Sequence, residues 1–169
     1  MTKPSEEYWK ILNSINEWIR FSDIKAGAIL SIYGVLLTVI YSNSKQVFEL
    51  LNSNNCILIL AIIATLSSIA SVIFSFLTLN PTLKNKNPHS ILFFGHVQEK
   101  FDEFENYNEH AVQVIQDKDR YRNQLAEQVF TNSKISWRKF KFISWSIRFF
   151  MATISVLILT VAIYLINML

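Results

Sequence analysis

Charged residues avoid three stretches of the chain. Residues 26–44, 50–83 and 149–169 contain no Asp, Glu, Lys or Arg, so the 16 basic and 13 acidic residues crowd into the remaining segments. A helix needs roughly 20 mostly apolar residues to cross the ~30 Å hydrocarbon core of a bilayer. The pattern therefore predicts three transmembrane helices, over about 26–41, 57–79 and 146–169. Three such segments in one short chain disfavour the alternative, which is a set of buried core helices.

The segments between the spans carry a helical period. Residues 1–25 are expected to form an N-terminal amphipathic cytoplasmic helix that runs into the first span, with one apolar face made of Tyr8, Ile11, Leu12, Ile15, Trp18 and Ile19. Residues 26–80 then form a transmembrane helical hairpin. Residues 81–145 form a cytoplasmic helical region of two long helices, broken near 106–118, after a turn rich in Pro and Asn at 80–88. The second of these helices enters the third span, 146–169, directly.

The predicted fold class is all-α, because no segment shows the sustained alternation of a strand. The expected architecture is a membrane protein with three transmembrane helices and a cytoplasmic helical bundle continuous with them. Small residues form possible helix-contact stripes in the spans, among them Ala64, Ser71 and Ser75. These stripes fit packing within one protomer or between protomers, so a homo-oligomer is one expectation.

Lysine and arginine set the expected orientation. All but one of the basic residues, Lys45, lie before the first span or between the second and third. Cytoplasmic loops carry an excess of Lys and Arg, so we expect the N-terminus in the cytoplasm and the C-terminus on the opposite side of the membrane.

Composition excludes several classes of protein. Only three glycines are present and no phosphate-binding glycine motif occurs. A single cysteine, Cys56, excludes a disulfide framework and a zinc site of several cysteines. A net charge of +3 is too small to indicate nucleic-acid binding. For His96, Glu99, Asp102 and Glu103, a solvated acidic face is a better interpretation than a metal site, so no metal is expected. No catalytic motif is present, so the protein is not expected to be an enzyme.

Two groups of polar residues are candidates for function. Asp23 and Lys25 lie at the inner mouth of the first span, where they are either boundary charges in contact with water or part of a polar network between bundle and span. A set of cations suits a small anion such as a nucleotide phosphate: Arg120, Arg122, Lys134, Arg138 and Lys139. Solvated basic faces explain these cations too, and membrane anchoring is the favoured interpretation of Arg138 and Lys139.

Three segments resemble the Pycsar effector family, small transmembrane effectors of bacterial cyclic-nucleotide defence. The first is WIRFSDIKAGAIL at 18–30, which is similar to the family's entry into its first span. The second is NP…SILFFGHV at 80–97, and the third is LAEQVFTNSKISWRKFKFI at 125–143. The resemblance implies a membrane-mouth motif of Asp23, Lys25 and Gly27. It also implies a cytoplasmic motif of Phe93, Phe94 and Gly95. The two aromatic rings suit stacking on a base, although aromatic residues at helical spacing are more often part of a core.

The resemblance further implies that one chain both binds a signalling ligand and damages the membrane. A cognate nucleotide cyclase would make a cyclic pyrimidine mononucleotide, cUMP or cCMP, during phage infection. The effector would bind this activating ligand in its cytoplasmic region and then disrupt or permeabilise the lipid bilayer, which is abortive infection. The alternatives are a constitutive pore-forming or toxin-like membrane protein and a membrane anchor or scaffold that recruits a cytoplasmic partner.

Overall fold

The computed structural model describes residues 4–81 and 90–168, and within them every regular element is an α-helix. The described helices are α1 (Pro4–Ser42), α2 (Ser44–Ser53), α3 (Asn55–Leu79), α4 (Phe94–Lys100), α5 (Phe104–Gln116) and α6 (Lys118–Met168). The all-α prediction is confirmed. The turn predicted at 80–88 falls mostly outside the described residues, as do Lys3, Lys84 and Lys86.

Three of these helices, α1, α3 and α6, are long and apolar enough to cross a membrane. Only 17 %, 17 % and 6 % of the residues in their apolar windows are buried within the protomer, and many of the exposed side chains are aliphatic or aromatic. Such a surface is stable against lipid, whereas water would penalise it. The chain is therefore an all-α membrane protein with three transmembrane helices.

Two of the spans are the continuation of more polar helices. The 39 residues of α1 include the amphipathic N-terminal segment and the first span without a break. The 51 residues of α6 include the segment from Lys118 onward and the third span. Continuity was predicted for both helices and is confirmed for both. In the amphipathic segment Leu12 is buried, but Ile11 is 47 % and Trp18 is 53 % exposed, so the covered face is narrower than predicted.

Two short helices were not predicted. The segment expected to be a loop between the first two spans contains α2, in which Val47, Leu50 and Leu51 are half-buried at helical spacing against α3. The first of the two predicted long helices is divided into two, because α4 ends at Lys100 and α5 begins at Phe104. The ring of Phe101 turns back at this break, with its centroid 5.5 Å from that of Tyr107. The break predicted near 106–118 is confirmed at Asp117.

Contacts divide the chain into two compact units. The head unit comprises Met1–Phe21 and Pro81–Arg138, and the span unit comprises Ser22–Asn80 and Lys139–Leu169. The core of the head unit contains Ile91, Ala111 and Val114, flanked by Tyr107 and Tyr121. The core of the span unit is a separate cluster, made of Ala26, Ile29, Tyr33 and Ile143.

Hydroxyl groups join α3 and α6 in the span unit. Ser71 Oγ donates to the backbone oxygen of Ser146 at 2.9 Å, and Ser146 Oγ donates to the backbone oxygen of Ser71 at 2.9 Å. The hydroxyls of Ser75 and Ser146 lie 2.7 Å apart. Further along, Tyr33 Oη donates to Thr153 Oγ1 at 3.3 Å. Small side chains let the helices approach closely, and each hydroxyl finds a partner in a region without water. Ala64, Ser71 and Ser75 are thus buried within one protomer.

We predict that Ser146→Ala weakens the span unit by about 1 kcal/mol, because it removes a donor to Ser71 and the partner of Ser75. The matched control is Ser144→Ala, since the Ser144 hydroxyl bonds only back to Phe140 of its own helix among the contacts described. Unfolding of the full chain by dodecyl sulfate in mixed micelles measures both variants. Equal midpoints for the two would contradict an interhelical role for the Ser146 hydroxyl.

Candidate functional site

The membrane-mouth motif contains a buried ion pair. Lys139 Nζ donates to Asp23 Oδ1 at 2.5 Å, and Lys139 is only 7 % exposed. Burying an ammonium group is costly unless a carboxylate accompanies it, so Asp23 compensates Lys139 inside the span unit. The sequence identified Asp23, but it did not indicate that Lys139 is its partner. Their opposite charges, each at the inner end of a span, were the available signal.

The other residues of this motif take no part in the ion pair. Lys25 is exposed, and Gly27 is half-buried. A Cβ atom added at Gly27 would meet no heavy atom within 4 Å. Within one protomer, therefore, nothing in the packing requires glycine at this position.

The cytoplasmic motif lies at the start of α4. Phe93 is its N-cap residue and is half-buried, whereas Phe94 is 70 % exposed. The Phe93 ring lies over Gly95, where a Cβ atom would be 2.6 Å from Phe93 Cε1. The same ring meets the ring of His96 edge-on, with centroids 5.0 Å apart. Gly95 therefore makes room for the Phe93 ring, and Phe94 offers an exposed aromatic face.

His96 is buried with its Nδ1 atom lacking a hydrogen-bond partner among the described residues. It packs against an aromatic ring and does not lie on the solvated acidic face considered from the sequence. A buried ring nitrogen without a partner is unfavourable by about 1–3 kcal/mol, so His96 is a polar group that a ligand or a rearrangement can satisfy.

The structure does not bring the three candidate cations together. Arg122 follows Arg120 by two residues, which is about 200° around the helix, and pairs with Asp119 at 2.9 Å. Lys134 is about 21 Å further along α6 from Arg120, and its Nζ lies 4.0 Å from the centroid of the Phe130 ring. The exposed Arg120 is thus separated from both.

A column of buried amides starts one turn after Arg120. Gln124 Oε1 accepts a hydrogen bond from the backbone N–H of Ile91 at 3.1 Å, which fixes the segment just before Phe93 against α6. Gln128 Nε2 donates to Asn132 Oδ1 at 2.9 Å, and Asn132 Nδ2 donates to Asn16 Oδ1 of α1 at 2.8 Å. Sequence reasoning missed these amides, although their spacing of four residues beside the buried Leu125 was a signal.

A second polar contact between α1 and α6 lies in the head unit. Trp9 Nε1 donates to Tyr121 Oη at 3.0 Å. Because Trp9 precedes Asn16 on α1 and Tyr121 precedes Asn132 on α6, the two helices run parallel in this unit. The head unit therefore contains the exposed Arg120 and the buried Gln124 and Gln128 on α6, together with the aromatic motif at the start of α4.

Comparison with known proteins supports one family. The chain matches the Pycsar effector protein domain over residues 7–166. It is similar to the Pycsar effector protein PtPycTM of Propioniciclava tarda, with 26 % identity over 147 residues that cover 85 % of this chain and 71 % of that relative. No solved structure matches the chain significantly. The family match includes residues of both the head unit and the span unit.

We predict that Asp23→Asn lowers the free energy of unfolding by about 3 kcal/mol. This value is at the lower end of the destabilisation expected when one partner of a buried ion pair is removed, because the Asp23 side chain is itself 35 % exposed. The double variant Asp23→Leu/Lys139→Met should recover most of the loss, because no unpaired charge remains buried. Denaturation in detergent micelles measures the change.

The matched control for this prediction is Glu17→Gln. Glu17 is an exposed carboxylate on the same helix, and its neutralisation should change stability by no more than about 0.5 kcal/mol. If Asp23→Asn and Glu17→Gln were equally stable, the buried charge of Lys139 would not depend on Asp23 for compensation.

Proposed function

The chain belongs to the Pycsar effector protein domain family, and from that premise we propose that it detects a cyclic pyrimidine mononucleotide and then permeabilises the membrane that it spans. The ligand is cUMP or cCMP made by a cognate cyclase during phage infection. The head unit binds it, the inner membrane of the bacterium loses its barrier, and the infected cell stops growing. The protein acts as a binding and membrane-disrupting effector and not as an enzyme.

One observation carries this proposal: α1 and α6 each contribute to the head unit and to the span unit as one uninterrupted helix. A ligand that changes the packing of α1 against α6 in the head unit acts on two helices that also cross the membrane. It drives the change only as far as it binds the rearranged state more tightly than the resting one. Continuous helices convert that preference into movement of the spans with no flexible linker.

Permeation requires a different arrangement of the spans from the resting one. In the described part of the span unit, the centre between α3 and α6 is filled by Ser71, Ser75 and Ser146, all fully buried. These side chains close the space between α3 and α6 within one protomer. We therefore include in the proposal that several copies assemble on activation, with their exposed apolar faces exchanging lipid contacts for protein contacts.

The orientation in this proposal rests on charge. Within the described residues, most basic side chains lie in the head unit or close to the start of the first and third spans. Lys25, Lys141 and Arg148 are examples of the second group. The Arg148 guanidinium lies 4.9 Å from the centroid of the Trp145 ring, the pairing of cation and aromatic ring that suits a membrane interface. The head unit is then cytoplasmic, where a cyclic nucleotide made in the cell can reach it.

We predict that cUMP or cCMP triggers release of a trapped dye from vesicles that contain the full chain, whereas cAMP and cGMP do not. If nucleotide binding in the head unit changes the packing of α1 against α6, the rate of dye release should be at least tenfold higher than in the same vesicles without nucleotide. Release of the same size without any nucleotide would support the constitutive pore. Absence of release with every nucleotide would contradict the proposal and leave the scaffold as the better account.

A further inference from the structure

Gln128 carries a buried acceptor that its surroundings do not use. Its side chain is 7 % exposed, and its Oε1 atom has no hydrogen-bond partner among the described residues. Its Nε2 atom is already committed to Asn132. An orphaned buried acceptor is uncommon and unfavourable, and in a binding protein it marks a place where a ligand supplies the missing hydrogen.

Gln128 belongs to a column that begins at an exposed cation. Arg120, Gln124 and Gln128 occupy positions i, i+4 and i+8 of α6, so they are successive neighbours along one side of the helix. The column rises about 12 Å from Arg120 to Gln128. Gln124 Oε1 takes the backbone N–H of Ile91, so it holds the adjoining segment in place. An exposed positive charge therefore stands at one end, and an unused buried acceptor stands at the other.

The backbone groups at the start of α6 are not available as an anion site. Asp117 Oδ1 accepts hydrogen bonds from the backbone N–H groups of Asp119 and Arg120, at 3.1 and 3.0 Å. A phosphate in this region must therefore be bound by a side chain. Arg120 is suited to this, since its planar guanidinium binds phosphate oxygens through two parallel hydrogen bonds.

We infer that the activating nucleotide lies along this column, with its phosphate on Arg120 and an N–H group of its pyrimidine edge donated to Gln128 Oε1. The inference rests on the proposed function. A cyclic pyrimidine mononucleotide has an anionic phosphate at one end and, at the other, N3–H in uracil or the N4 amino group in cytosine. Gln128 is thus a specificity-determining residue for the base.

Binding in this position is coupled to the packing of α1. Because Gln128 is covered in the resting state, a base reaches Oε1 only when the side chains around it separate. Gln128 is bonded to Asn132, and Asn132 is bonded to Asn16 of α1. Movement at Gln128 therefore disturbs the polar contact that holds α1 against α6 in the head unit. The orphaned acceptor favours the rearranged state, because only that state supplies its partner.

The experiment pairs a change in the ligand with a change in the protein. Calorimetry on the full chain in detergent compares cUMP with its N3-methyl derivative, and cCMP with its N4,N4-dimethyl derivative. For the pyrimidine that binds, we expect methylation to raise the Kd of the wild type about tenfold to a hundredfold, since a buried polar atom is again left unpaired. In Gln128→Leu the same methylation should change the Kd less than about threefold, because the acceptor is gone.

The matched control is Gln113→Leu, an exposed glutamine of α5, which should discriminate against the methylated ligand as the wild type does. For the phosphate end, Arg120→Gln should raise the Kd about tenfold or more and reduce its dependence on salt. Lys118→Gln removes one charge two residues away and should leave the Kd within about twofold. Arg122→Gln tests the opposite face of α6 and should also have little effect.

The outcomes separate this inference from the function on which it rests. Binding of a pyrimidine nucleotide with no loss on methylation in the wild type overturns the role of Gln128 and leaves the proposed function standing. A wild-type protein that binds none of the nucleotides overturns both. The methylation test on the wild type and the Arg120→Gln measurement need no change at Gln128, so they decide the matter even if Gln128→Leu does not fold.

Discussion

The pairing of α1 with α6 is the constraint on which the rest of the structure depends. In the head unit it is made by Trp9 with Tyr121 and by Asn16 with Asn132. In the span unit the same two helices are joined through the Asp23–Lys139 ion pair and through Tyr33 and Thr153. In both units, later residues of α1 contact later residues of α6, so the two helices run parallel in each unit. In the described part of the head unit, α4 and α5 are shorter than the segments of α1 and α6 that meet there.

Polar groups make this pairing specific. Apolar side chains in a bilayer gain little by leaving lipid for protein, so hydrogen bonds and close packing decide which helices associate. A buried ion pair or amide pair contributes little net stability compared with apolar packing, but it strongly disfavours wrong pairings that leave a charge or an amide alone. We regard Asp23–Lys139 and Asn16–Asn132 in this way, as contacts that fix the register of two helices. A ligand that competes for the amides then has a direct effect on that register.

Much of the fold follows from the sequence, and the reasons differ between elements. The spans were predictable because about 20 residues without charge have few other stable environments. The helix α2 was missed because ten residues between two spans are expected to be a loop. The break after Lys100 was missed because Phe101, Phe104 and Tyr107 continue the helical period, and only the fold turns the Phe101 ring onto α5. Local pattern therefore identified helical residues better than it identified where helices end.

The candidate site was less predictable, again for physical reasons. Cations and aromatic residues attract attention in a sequence, and they directed the choice to Arg120, Arg122 and Lys134, which lie apart along α6. Gln124 and Gln128 look like solvated positions of an amphipathic helix until the structure shows that both are buried. Lys139 looked like one more membrane-anchoring cation, because its partner is 116 residues away in the chain. Burial of a polar side chain depends on tertiary packing, which periodicity alone does not report.

The measurement that tests this account most directly is the distance between α1 and α6 in the head unit with and without nucleotide. Spin labels at Asn13→Cys and Asn123→Cys, both exposed positions, report it by pulsed electron resonance in a Cys56→Ser background. The account predicts that a bound pyrimidine cyclic nucleotide shifts the distance distribution in vesicles, and that Arg120→Gln abolishes the shift at the same ligand concentration. An unchanged distribution at saturating bound nucleotide would contradict it.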